Sequence, residues 1–196
     1  MRQISTQLVK HIEYKVQVRG YLDVFNQAVA QQNPDLLFET ICKATVGARE
    51  EGGNNMGFIV GLYQDVVGGI DGEAWCMAYM QAMVAYVEYK LGIKSRLYPS
   101  EHCLTVMRKT PADMISHEYF DGAILIWQHG NSEQGHTGRS LKRSTNGNSF
   151  FAIEGNTVTG VDKNGNLIRD GGGVYLTTRK MTGDGDMKLI AFIKPF

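Results

Sequence analysis

Apolar residues recur at helical spacing through the first part of the chain and alternate or cluster in short runs through the last. Leu8, Ile12 and Val16, then Leu22, Phe25 and Val29, lie on helix-like stripes. Asn33-Pro34 reads as a helix start, a capping side chain followed by proline in the first turn. Leu36, Leu37, Ile41 and Ala44 continue the stripe, and Gly47 is a natural stop. Residues 49–57 are polar and glycine-rich, which predicts a loop. A further helix is expected from about Trp75, with Cys76, Met80, Met83, Val87 and Leu91 on one face and Gly92 at its end. Beyond Gly122 the pattern changes to short runs of strand character: 123–127, 136–141, 150–156, 174–179 and 189–194. Turn-rich segments at 146–148, 164–166, 171–173 and 184–186 separate them. Helices first, then strands joined by tight turns, predict an α+β fold with an antiparallel sheet.

Composition narrows the partners. The 196 residues carry 20 basic and 20 acidic side chains, a formal net charge of zero. A chain that neutralises phosphates needs a basic excess, so nucleic acid is not an expected partner. There is no polybasic amphipathic stretch for a membrane surface and no apolar run long enough to span one, so membrane insertion is not expected either. The amino terminus lacks the apolar core of a secretory signal, and the expectation is a soluble chain made in the cytoplasm. The three cysteines, Cys42, Cys76 and Cys103, are too few and too scattered for a disulfide framework or a paired-cysteine zinc site. No cofactor or metal is expected.

The remaining candidate chemistry lies in three places. Cys76 falls at a predicted helix start, where partial positive charge and unpaired N–H groups favour the thiolate. Read alone, it is more often a small buried hydrophobe. His136, flanked by Gly135 and Gly138, sits at the edge of a predicted strand and could take the thiol proton. Alone, an exposed loop histidine is the better reading. Glu154 and Asn156 share one strand face by period-two alternation and either could orient the imidazole. A thiol at a helix start, then a histidine, then a carboxylate and amide on following strands, is more informative than any one of them.

These residues resemble those of the CHAP amidases and peptidases, within the NlpC-type, papain-like superfamily. The matching segments are Arg49-Glu50, Gly53-Asn54-Asn55, Trp75-Cys76-Met77-Ala78, residues 121–127, Gly135-His136-Thr137-Gly138 and Ile153-Glu154-Gly155-Asn156-Thr157. They fall between about Phe38 and Tyr175. The resemblance implies a papain-like domain over 38–196, preceded by a helical extension over 1–37 that has no counterpart in the family. It implies Cys76 as nucleophile, His136 as base, and Glu154 with Asn156 completing the set. The substrate it implies is peptidoglycan, cut either between muramic acid and L-alanine or within the stem or cross-bridge peptide. Family members include phage lysins, cell-separation enzymes and toxins, so a delivery or immunity protein is an expected partner, and action on the wall would follow release by another system. Glu50, Asn54, Asn55 and Trp75 are the candidate substrate-binding residues, although Glu50 equally fits a loop-holding role and asparagine in a glycine-rich loop is ordinary turn chemistry. Arg139 departs from the family pattern and places a charge either near the site or at an exposed edge. A docking protein that keeps the fold without hydrolysis, and a cysteine protease or transferase acting on proteins, are the competing readings.

Two features are set aside. Asp162-Lys163-Asn164-Gly165-Asn166 resembles the start of a calcium loop but has Leu167 at the sixth position and Gly173 at the twelfth, so a hairpin turn at Asn164-Gly165 is expected. His102-Cys103 are adjacent and would point apart, so Cys103 is read as a core residue.

Overall fold

The computed structural model describes residues 2–158 and 172–196; the calcium-like segment and its expected hairpin lie outside them. Among these residues six helices precede a six-stranded sheet, so the α+β expectation holds. The helices are α1 (Thr6–Val18), α2 (Leu22–Ala30), α3 (Pro34–Thr45), α4 (Phe58–Asp65), α5 (Cys76–Leu91) and α6 (Cys103–Lys109). The strands are β1 (Ile115–Ser116), β2 (Ile124–His129), β3 (Gly135–Arg143), β4 (Ser149–Thr157), β5 (Gly173–Lys180) and β6 (Met187–Ile193). They run in the order β1-β6-β2-β3-β4-β5, every neighbouring pair antiparallel.

Local chemistry sets the boundaries. The Asn33 side chain accepts from the Leu36 N–H at 3.0 Å with Pro34 in the first turn, which starts α3 as expected. Ser5 caps α1 in the same way, through the Leu8 N–H. Gly92, at φ 67°, ends α5 in the left-handed conformation that favours glycine. Helices α4 and α6 and strand β1 are additions to the expected list.

Helix α5 departs from its expected amphipathic form. Every residue from Cys76 to Val87 is buried, on all sides of the helix. A helix hydrophobic all round belongs inside a layered core: α3 and α4 pack on it, and so do β3 and β4. The sheet divides its side chains by period two. Ile124, Ile126, Ile153, Val174 and Ile193 join the helical core, and Leu125, Trp127, Phe150, Ala152 and Phe192 form a smaller cluster. Deleting one well-packed side chain such as Met83 from the larger core would cost about 2–5 kcal/mol.

The amino-terminal helices belong to this same core. Leu8, Ile12, Val16 and Phe25 cluster with Met80, Met83 and Val87, and the expected division after residue 37 falls inside α3. Arg2 reinforces the join: its guanidinium donates to Glu88 and Gln81 on α5 and to the carbonyls of Ser95 and Leu97. The packing therefore gives no separate extension over 1–37.

Candidate active site

One end of the sheet meets the starts of two helices around a cleft of about 580 Å³. Here β2 ends at His129, β3 begins with Gly135 and His136, β4 ends near Asn156, and α5 and α6 begin with Cys76 and Cys103; all of these residues line the cleft. Cys76 is 6% exposed and His136 9%, so the reactive atoms sit at the floor.

The side chains of Cys76, His136 and Glu154 come together here. His136 Nε2 lies 2.8 Å from Glu154 Oε2. The carboxylate is fully buried, yet held down to about 2: burial works against ionisation, and hydrogen bonds from Arg179 and then His136 overcome it. An ionised carboxylate only accepts, so Nε2 carries the hydrogen and Nδ1 is left to face the thiol. Glu154 can come this close because residue 138 is glycine; a Cβ there would lie 2.5 Å from Glu154 Cγ.

Arg179 is a member of the site that sequence reasoning missed. From β5 it donates Nε–H to Glu154 Oε1 at 2.8 Å and a second N–H to Oε2, while the Thr177 hydroxyl donates to Oε1 at 2.6 Å. Its guanidinium also stands 5.6 Å above the Trp127 ring, and Trp127 lies beside the His136 ring, 5.6 Å between centroids. The only signal in the sequence was Thr177 and Arg179 sharing a face of a predicted strand. The register places Thr177 opposite Ala152 and Arg179 opposite Phe150, on the Glu154 face of β4.

The electrostatics favour an ion pair. The Cys76 thiol is held well below its usual range by a hydrogen bond from Cys103, with further contributions from His136 and the Met77 N–H, against the opposing effect of burial. Burial lowers the His136 imidazole, but hydrogen bonds to Cys76 and Glu154 and their charges overcome it and raise the ring to about 9. The residue capping α5, Trp75, makes no side-chain capping bond, and the N–H groups of the helix start, that of Met77 among them, are at hand for the sulfur. A thiolate beside an imidazolium, with backbone N–H groups at hand, can attack a carbonyl, steady the oxyanion and return a proton to a leaving amine.

Cys103 is a core residue, as expected, and it also reaches the site. Its sulfur lies 3.8 Å from that of Cys76. The hydrogen bond to Cys76 and burial both push its own thiol well above the usual range, which makes it the donor of the pair.

The other expectations divide. Asn156 lines the cleft, but not through simple alternation: the β4–β5 pairing slips between Glu154 and Thr157, and Asn156 adopts φ 51°. None of Glu50, Asn54, Asn55 or Trp75 lines this cleft. Trp75 is fully buried, stacked on Tyr63 at 5.9 Å, and donates its indole N–H to Glu50 Oε1 at 2.8 Å. Glu50 therefore holds the segment that leads into Cys76. Asn55 adopts φ 56° and donates to the Gly72 carbonyl, bracing the loop, and Asn54 is exposed. Arg139 is neither at the site nor at an exposed edge: it is 1% exposed, stacks over Phe38 at 4.4 Å and donates to the carbonyls of Gly122 and Asp35.

Among the described residues no group of three or more histidine, cysteine or acidic side chains could hold a metal ion, and no helix is long and apolar enough to cross a membrane. No protein-family model, curated protein or solved structure matches the chain.

Proposed function

We propose that this chain is a cysteine hydrolase that cuts an amide bond of peptidoglycan. The observation that carries the chemistry is the relay Cys76–His136–Glu154–Arg179, which ends in a cleft with the sulfur at its floor. The choice of substrate rests on the likeness of the Trp75-Cys76, Gly135-His136-Thr137-Gly138 and Ile153-Glu154-Gly155-Asn156-Thr157 segments to the CHAP enzymes.

In this reading the Cys76 thiolate attacks the scissile carbonyl carbon. The oxyanion is met by N–H groups at the start of α5. Imidazolium His136 then gives its proton to the leaving nitrogen as the C–N bond breaks, leaving an acyl-enzyme. Water, deprotonated by the now neutral His136, attacks the thioester and releases Cys76. Glu154, itself fixed by Arg179 and Thr177, holds the ring in the tautomer both steps require.

Digestion of purified sacculi, with mass spectrometry of the soluble fragments, tests this and names the bond. Wild type is expected to release muropeptides with a new carboxyl end at one position, and Cys76→Ala to release none above background. Equal release by the two proteins, or none by either, overturns the reading.

A further inference from the structure

We propose that Cys103 is a resolving thiol for Cys76, so that the two form a reversible disulfide that closes the site under oxidising conditions. This rests on the reading of Cys76 as the reactive sulfur and assigns that site a form of regulation.

The geometry is specific to this pair. The sulfurs are 3.8 Å apart, against a bonded separation of about 2.05 Å, a gap that small torsional adjustments at the two residues can close. Both side chains line the same cleft, at 6% and 5% exposure, so a small oxidant can reach them. Cys42, in contrast, is fully buried and does not line it. The close approach also depends on the residue at 135. A Cβ on Gly135 would stand 2.9 Å from the Cβ of Cys103 and 2.8 Å from the Trp127 carbonyl oxygen. With glycine there, the start of α6 can sit against β3 and carry Cys103 to the nucleophile. A reactive thiolate with a second thiol beside it is the arrangement by which sulfenic acid is captured before it oxidises further.

The chemistry balances with hydrogen peroxide as oxidant. The Cys76 thiolate attacks one peroxide oxygen; the S–O bond forms, the O–O bond breaks, and the released hydroxide takes a proton from His136 to leave as water. The Cys103 sulfur then attacks the Cys76 sulfenic acid. The S–S bond forms, the S–O bond breaks, and the hydroxide departs with the Cys103 proton as a second water. The two thiols lose two electrons in all and the peroxide gains them; an external dithiol reverses the change. While the bond is intact Cys76 has no lone thiolate with which to attack a carbonyl.

The test treats the reduced full chain with hydrogen peroxide and maps its tryptic peptides without reduction. Peptide 50–90 joined to peptide 97–108, lighter by two hydrogens and separated again by dithiothreitol, is the expected result. Cys76 found as sulfinic acid in wild type, with no joined peptide, overturns the proposal. Sacculus hydrolysis followed in the same samples should vanish with peroxide and return with dithiothreitol. In Cys103→Ala the fraction of its own starting activity that dithiothreitol recovers should drop below about one tenth, because unprotected Cys76 proceeds to sulfinic acid; recovery equal to that of wild type counts against the proposal. The peptide map stands apart from the hydrolysis reading: a joined peptide in a chain that never digests sacculi leaves the disulfide intact and removes the wall-hydrolase assignment, and the converse removes the disulfide alone.

Discussion

Cys42 on α3 and Cys76 on α5 are both buried helical cysteines in one continuous core, and their surroundings drive them in opposite directions. Around Cys42 burial dominates and the thiol is pushed up to about 12, with the charge of Arg139 offsetting it only in part. Around Cys76 the same burial is outweighed by donors: Cys103, His136 and the Met77 N–H. Burial alone makes a cysteine inert. What makes it reactive is a set of groups that satisfy the anion where water cannot.

The sharpest way to break this contrast is alkylation of the folded protein. At about pH 6 an ordinary thiol is less than about 1% ionised, so Cys76 should react with iodoacetamide orders of magnitude faster than Cys42 there, and denaturant should bring the two together. Mass spectrometry of the labelled peptides reads this directly. Parallel labelling in the native state would show that the two environments are equivalent after all, and would favour a docking role for the fold.

A smaller effect concerns how the carboxylate is held. Glu154 titrates at about 2 in the fold and at about 4.3 in an unfolded chain. Its depressed value means that the stabilisation is fully present above about pH 4.3 and is lost as pH falls through about 2. Arg179→Met removes the strongest of the groups that depress it and leaves a buried carboxylate with fewer partners, at a cost of about 3–5 kcal/mol. Urea midpoints measured from pH 7 downward should therefore fall less between about pH 4.3 and about pH 2 in the variant than in wild type. A constant offset at every pH would show that Arg179 does not act through Glu154.

The smallest effect belongs to the other cysteine. Cys42→Ala should lower stability by about 1 kcal/mol through lost packing and leave sacculus hydrolysis unchanged. A loss of hydrolysis larger than the loss of folded protein would mean that Cys42 communicates with the site.

The sequence carried much of this arrangement, but unevenly. Five of the strands show as short runs of strand character between glycine and asparagine turns, and helix start and strand pattern pick out Cys76, His136 and either Glu154 or Asn156. Helices α4 and α6 span only 8 and 7 residues, too short for a periodicity to stand out. With α6 went Cys103, whose place beside Cys76 depends on Gly135 admitting a helix 32 residues earlier in the chain. Arg179 was hidden for another reason. Its role depends on the pairing of β5 with β4 and on a side chain long enough to reach past Thr177 to Glu154, and neither appears in a local pattern. Trp75 misled in the opposite sense: an aromatic residue next to a nucleophile suggests a ligand surface, but its indole is the support beneath the helix start.

The burial of α5 on every side also bears on how the molecule moves. Amide hydrogens exchange with solvent through local openings that expose little apolar surface, and an element buried all round has no such opening short of general unfolding. The amides of residues 80–87 should accordingly be among the last in the chain to exchange. Cys76 thus sits at the start of an element expected to open slowly, and any movement around the cleft must come from its walls, with the sulfur staying in place.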